Sequence, residues 1–154
     1  MTFPCVTFPC VTFSDPWIKK FQSLVKEISS WSKDSTKVGC VIVSQDCQIL
    51  STGYNGIPRG VVDSPERLIR PEKYLWTAHA EENAISSAAR HGVALKGATA
   101  FVSHYPCSRC AGMLINAGIS SVIIDTGTTS MREEEFIVAK IKFAESGIAV
   151  FVLP

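Results

Sequence analysis

The chain lacks an apolar run near the roughly 20 residues that a membrane-crossing helix needs, which excludes a helical span. It also lacks an excess of charge of either sign: 15 Lys and Arg stand against 14 Asp and Glu, for a net charge of +1. Proteins that grip a nucleic-acid backbone concentrate positive charge on one face. No basic stripe emerges here, so a small-molecule partner is expected and a nucleic acid is not. A disulfide framework is not needed either. The six cysteines are spread over 154 residues that are 46% hydrophobic, and a domain of this length buries about 70% of its unfolded surface without cross-links. Metal-binding thiolates suit a reducing compartment, and the expectation is the cytoplasm.

The stretch from Thr2 to Val11 gives Thr-Phe-Pro-Cys-Val twice. Pro4 and Pro9 interrupt it and no basic segment precedes it, so residues 1–13 are expected to be a flexible extension. A domain is expected over 14–154. It opens with Asp15 as cap and Pro16 in the first turn of a helix whose Ile18, Phe21, Leu24, Val25 and Ile28 form one apolar face. Strands are expected over 38–44 and 48–53, paired through a turn at 45–47. A Gly- and Pro-rich loop follows over 53–60, then a polar connection over 61–76 with one short helical turn. Residues 80–91 read as a helix with Ala84, Ile85, Ala88 and Ala89 inward and Gly92 as its stop. Strand 98–103, helix 108–117, strand 121–125, helix 131–146 and strand 148–153 complete the chain. In the last helix Phe136, Ile137, Ile141 and Ala144 are the expected buried side. The fold class is α/β, in three α/β/α layers around a five-stranded mixed sheet with helices on both faces.

Two short motifs carry the chemistry. His79-Ala80-Glu81 and Pro106-Cys107-Ser108-Arg109-Cys110 supply one imidazole, two thiolates and a separate carboxylate. A structural zinc site closes with four protein ligands, whereas a catalytic one stops at three and keeps a position for water. His79, Cys107 and Cys110 are therefore the candidate zinc ligands and Glu81 the proton-transfer group. Each cluster is expected at a helix start reached from a strand end, where free N–H groups favour thiolate over thiol. Glu82 is expected to be a solvated charge, and Arg67, Arg70 and Lys73 a solvated face. His91 suits its helix end, and His104 is not needed as a ligand because the set is already complete. A redox Cys-x-x-Cys pair, half of a structural zinc site, or two buried small hydrophobes are the competing readings of the cysteines alone.

Taken together, His79-Ala80-Glu81-Glu82-Asn83-Ala84-Ile85 and the Pro-Cys-Ser-Arg-Cys motif resemble the cytidine and deoxycytidylate deaminase superfamily. Residues 32–39 and 53–60 resemble its deoxycytidylate (dCMP) deaminase branch. The resemblance implies a zinc hydrolase that deaminates a pyrimidine deoxynucleotide, most directly dCMP to dUMP and ammonia, with one catalytic zinc per chain. It implies that Asn55 holds the substrate sugar, that the backbone of Ala80 meets the pyrimidine edge, and that the carbonyl of Tyr105 receives the leaving amine. The competing reading of Asn55, given its glycine neighbours, is a turn residue at positive φ. Arg59 is the first candidate for the substrate phosphate and Arg109 the second. The branch further implies a homo-oligomer, often a hexamer, and a regulatory nucleotide with Mg2+. Alternatives that keep the zinc site are a deaminase of tRNA adenosine, a nucleoside, a free base or 5-modified dCMP. A non-catalytic zinc-stabilised nucleotide-binding protein is the alternative outside enzymes.

Overall fold

The structure is a computed structural model that describes residues 14–125, 127 and 129–154; the extension expected over 1–13 lies outside the described residues. Helix α1 (Asp15–Ser30) leads into strands β1 (Gly39–Val43) and β2 (Ile49–Tyr54). A single 3-10 turn (Pro65–Leu68) and the short helix α2 (Lys73–Trp76) interrupt the connection to α3 (Ala80–His91). Then follow β3 (Thr99–Val102), α4 (Ser108–Asn116), β4 (Ser121–Ile124), α5 (Glu133–Ser146) and β5 (Ala149–Val152). The strands lie in the order β2-β1-β3-β4-β5. β1 is antiparallel to both its neighbours, and β3, β4 and β5 run parallel. The expected five-stranded mixed sheet is the observed one.

Alternation along the strands builds two cores, because successive side chains leave a strand on opposite faces. Val41, Val43, Phe101 and Ile123 pack under Phe21, Val25 and Ile28 of α1. Cys40, Ile42, Ala100, Val102, Val122 and Ile124 face α3, α4 and α5 on the other side. Small residues dominate that second interface: Ala80, Ala84, Ala88, Ala111 and Ala139 are all essentially inaccessible, which lets the helices approach the sheet closely.

Three features fix α3. A Cβ on Gly53 would lie 2.3 Å from the Ala80 carbonyl oxygen and 2.4 Å from the Ala84 nitrogen, so only glycine allows β2 to meet the first turn of α3. Ser51 Oγ donates to the Ala84 carbonyl at 2.6 Å, and Asn83 Nδ2 donates to the Tyr54 carbonyl at 2.8 Å. The turn of α4 is held from α5: the Ser108 backbone N–H and hydroxyl both donate to Glu135, and Lys142 Nζ donates to the Ser108 carbonyl at 2.8 Å.

Several local expectations change. The N-cap position of α1 is Ser14, with Asp15 already inside the helix. Ala89 is exposed, whereas Ala84 and Ala88 are buried and Ile85 packs half-buried against the core as expected, with Ala80 and Glu81 also buried. In α5 the buried stripe is Phe136, Ala139 and Phe143, while Ile137, Ile141 and Ala144 are exposed. The i, i+3, i+7 stripe faces α4 and the sheet, and a helix apolar on several sides leaves its sequence without a unique choice. His79 is not reached from a strand end. It follows α2 and an isolated antiparallel bridge between Gly56 and Ala78.

Candidate metal centre and active site

His79 is the N-cap residue of α3 and Cys107 that of α4. This brings together side chains 28 positions apart: His79 Nδ1 lies 3.5 Å from Cys107 Sγ and 3.4 Å from Cys110 Sγ. The three donor atoms all fall within 4.8 Å of one another, and among the described residues no other group of three or more His, Cys, Asp and Glu side chains is so arranged. With Zn–S near 2.3 Å and Zn–N near 2.1 Å, tetrahedral geometry separates adjacent N and S ligand atoms by about 3.6 Å. Spacing and donor chemistry both fit zinc.

The electrostatics point the same way. The hydrogen bond shared with Cys110 pulls the Cys107 thiol down to about 4, against the cost of its burial, with His79 adding to the effect. The Cys110 N–H also points at Cys107 Sγ, 3.5 Å away. Cys110 carries the proton of the pair, pushed up by that same hydrogen bond, by burial and by the nearby Glu81. His79 is raised chiefly by its hydrogen bond to Cys107. A thiolate facing an imidazole is a ligand set ready to exchange its remaining proton for a metal ion.

Glu81 is 4% exposed and lines the same cavity as His79, Ala80 and Cys107. Burial raises its carboxyl above the ordinary range, opposed by its own backbone N–H and by His79. A carboxyl whose ionised form is disfavoured by burial is a stronger base than an exposed one, which suits a proton-transfer group. The cavity opens to solvent, which gives a small molecule a way in to Glu81, His79 and Cys107.

Asn55 and Tyr105 also line it. Asn55 Oδ1 accepts from the Val38 N–H and Nδ2 donates to the Thr36 carbonyl, both at 2.8 Å. Among the described non-glycine residues positive φ occurs at Cys47 alone, so Asn55 is not a left-handed turn residue. Its carboxamide spans two loops and keeps one N–H for a ligand. Tyr105 places its ring edge-on to Phe136, 6.2 Å between centroids, and its N–H donates to the Gly127 carbonyl at 3.2 Å. His104 lines the cavity without joining the ligand group; its Nδ1 is 2.9 Å from Ser103 Oγ.

The two phosphate candidates stand elsewhere. Neither Arg59 nor Arg109 lines the cavity. Arg59 sits exposed in the turn before Gly60. Arg109 is drawn to Glu82, 3.2 Å away. Glu82 in turn is no free surface charge: its Oε2 also accepts from the His79 N–H at 3.3 Å, the reciprocal half of a helix-capping arrangement. Among the described residues the Arg and Lys side chains on the cavity wall are Arg70 and Lys73, from the segment expected to be a solvated face. Lys73 is buried, and its Nζ contacts both oxygens of the buried Asp34 at 2.7 and 2.9 Å. Asp34 lies in the quoted motif 32–39, yet nothing in sequence couples it to a lysine 39 positions away.

The match to known proteins agrees with this geometry. Residues 15–126 match the model of the cytidine and deoxycytidylate deaminase zinc-binding region. The chain is 42% identical over 142 residues to an "Uncharacterized deaminase in luxG 3'region" of Aliivibrio fischeri, covering 90% of this chain and 94% of that protein. It is 33% identical to the deoxycytidylate deaminase of Mus musculus, covering 86% of this chain and 76% of that one. The crystal structure of the dCMP deaminase from cyanophage S-TIM5 in complex with dCMP and dUMP superposes with a TM-score of 0.75 at 23% identity, over 92% of this chain and 99% of that one. That likeness establishes a shared fold.

Proposed function

This chain belongs to the cytidine and deoxycytidylate deaminase family, and we propose that within it the protein hydrolyses dCMP to dUMP and ammonia. The observation that carries the reading is a buried carboxyl, Glu81, in one cavity wall with His79 and Cys107. His79, Cys107 and Cys110 would hold the zinc. When bound there, zinc lowers the pKa of water so that hydroxide is available near neutral pH.

The chain's own groups do the rest. Glu81 takes the proton released from water and delivers it to N3 of the pyrimidine, which lets C4 accept the oxygen. It then carries the second proton to the departing amine, so one carboxyl acts as base and then acid. The Ala80 backbone meets the pyrimidine edge at the start of α3, Asn55 donates its spare N–H to the sugar, and the Tyr105 carbonyl receives the amine as it leaves. Burial of Glu81 supports this role, because a raised carboxyl is a stronger base and, once protonated, holds its proton to higher pH than an exposed one.

Residues 14–154 form one catalytic domain in this reading. Exposed Ile137, Val138 and Ile141 on α5 support the homo-oligomer expected of the branch, and a magnesium-bound regulatory nucleotide remains part of the proposal.

The test is ammonia release from dCMP by the zinc-loaded protein, paired with a Glu81→Gln variant. The variant is expected to keep one zinc per chain while turnover falls by about 10²- to 10⁴-fold. Equal turnover in the two proteins would remove Glu81 from the mechanism. Zinc-loaded protein that is inert toward dCMP but active on another amino-substituted base would move the activity to that base.

A further inference from the structure

The structure assigns the charged end of the substrate to a place the sequence did not mark. We propose that Arg70, with Ser130 and Thr129, forms a phosphomonoester subsite in the catalytic cavity. This deepens the dCMP reading above and depends on it.

Arg70 and Lys73 are the Arg and Lys side chains on the cavity wall among the described residues. Lys73 is already neutralised by Asp34 through two short contacts. Arg70 is not neutralised: among the described residues it forms no ion pair, and its one side-chain hydrogen bond runs from Nη2 to Ser130 Oγ at 2.6 Å. A guanidinium has five N–H donors in a planar fork suited to two phosphate oxygens at once. Most of that fork is unspent.

The loop facing it has hydroxyls to match. Ser130 accepts from Arg70 and so has its own O–H to give. Thr129 Oγ1 is buried with no hydrogen-bond partner, and both residues line the cavity. Buried hydroxyls are normally satisfied, and an anion oxygen entering this end of the cavity would satisfy this one. The loop is also tied to the reaction centre, since the Gly127 carbonyl accepts from the N–H of Tyr105. One guanidinium and two hydroxyls form a donor set for a phosphomonoester. A neutral nucleoside has no group that could use the uncompensated charge.

The experiment measures kcat/KM for dCMP and for deoxycytidine with wild type, Arg70→Gln, Arg70→Lys and Thr129→Val, alongside calorimetric binding of the product dUMP. Arg70 is exposed, so unchanged thermal melting is the expected sign that the variants fold. The expected result for Arg70→Gln is a dCMP-over-deoxycytidine preference reduced at least about tenfold, mainly through KM, with dUMP affinity falling in parallel. Thr129→Val is expected to lower the same ratio less, and Arg70→Lys to restore part of it. Wild-type preference and wild-type dUMP affinity in Arg70→Gln would overturn the subsite while leaving dCMP deamination standing. Wild type that neither deaminates dCMP nor binds dUMP would overturn the reading beneath it as well.

Discussion

Lys73 and Asp34 illustrate how residue identity and residue role separate. Each is an ordinary charge in a polar stretch, yet their side chains are only 8% and 2% exposed and they bond at 2.7 Å. Removing one partner of a buried pair leaves the other charge stranded, at a cost of about 3–5 kcal/mol. Lys73→Met is therefore expected to lose about that much in urea unfolding at neutral pH, and the Asp34→Leu, Lys73→Met double variant to recover most of it. Burial alone would raise the Asp34 carboxyl, but the Lys73 hydrogen bond, the Thr36 N–H and the lysine charge outweigh it and hold it low. The pair's contribution is thus complete above the ordinary carboxylate range and is lost as pH falls through the lower folded value. The gap between wild type and Lys73→Met should shrink as unfolding is repeated at progressively more acid pH. The candidate ligands His79, Cys107 and Cys110 and the nearby Glu81 were legible because imidazole, thiol and carboxyl groups announce their chemistry by type and spacing. Lys73 was not, because a buried lysine looks like any other until its partner is known.

At the scale of elements, α3 was legible to the residue: it runs over Ala80–His91 and stops at Gly92 in the left-handed region, with φ of 67°. A stop glycine and a small-residue face leave few alternatives. α5 was legible as a helix but not in orientation, because apolar side chains surround it and packing partners choose the inner stripe. Phe143→Ala is expected to destabilise by about 3–5 kcal/mol, and Ile141→Ser to stay within about 0.5 kcal/mol. Equal costs would restore the face read from sequence. Gly53 gives a sharper test of how β2 positions α3, the helix that carries Glu81. Gly53→Ala must push the first turn of α3 off β2, so zinc content and turnover are expected to fall together. Gly56→Ala meets nothing closer than the Tyr54 ring at 3.8 Å and should change neither.

Across the whole molecule, the five-stranded mixed sheet and its layers followed from the alternation of helix and strand in sequence, while the strand order and the cavity did not. Its wall joins residues near 34–38, 55, 70–77 and 129–131, which the sheet topology brings together from distant loops. No described helix is long and apolar enough to cross a membrane, and neither hydrophobic cluster on the two faces of the sheet includes His79, Cys107 or Cys110. Chelation is therefore expected to leave far-UV circular dichroism intact while lowering Tm by on the order of 10 °C, the shift for a ligand present near 1,000 times its Kd. Complete loss of helical signal on chelation would show that the fold itself needs the ion. His79 and Cys110 are 31 positions apart, so an ion gripped by both closes that stretch of chain into a ring. The ring cannot open by local fraying without first surrendering the ion. Amide protons in the opening turns of α3 and α4 should then exchange with deuterium at a rate set by metal dissociation, so the slowest breathing motions of these turns become a clock for how long each ion stays.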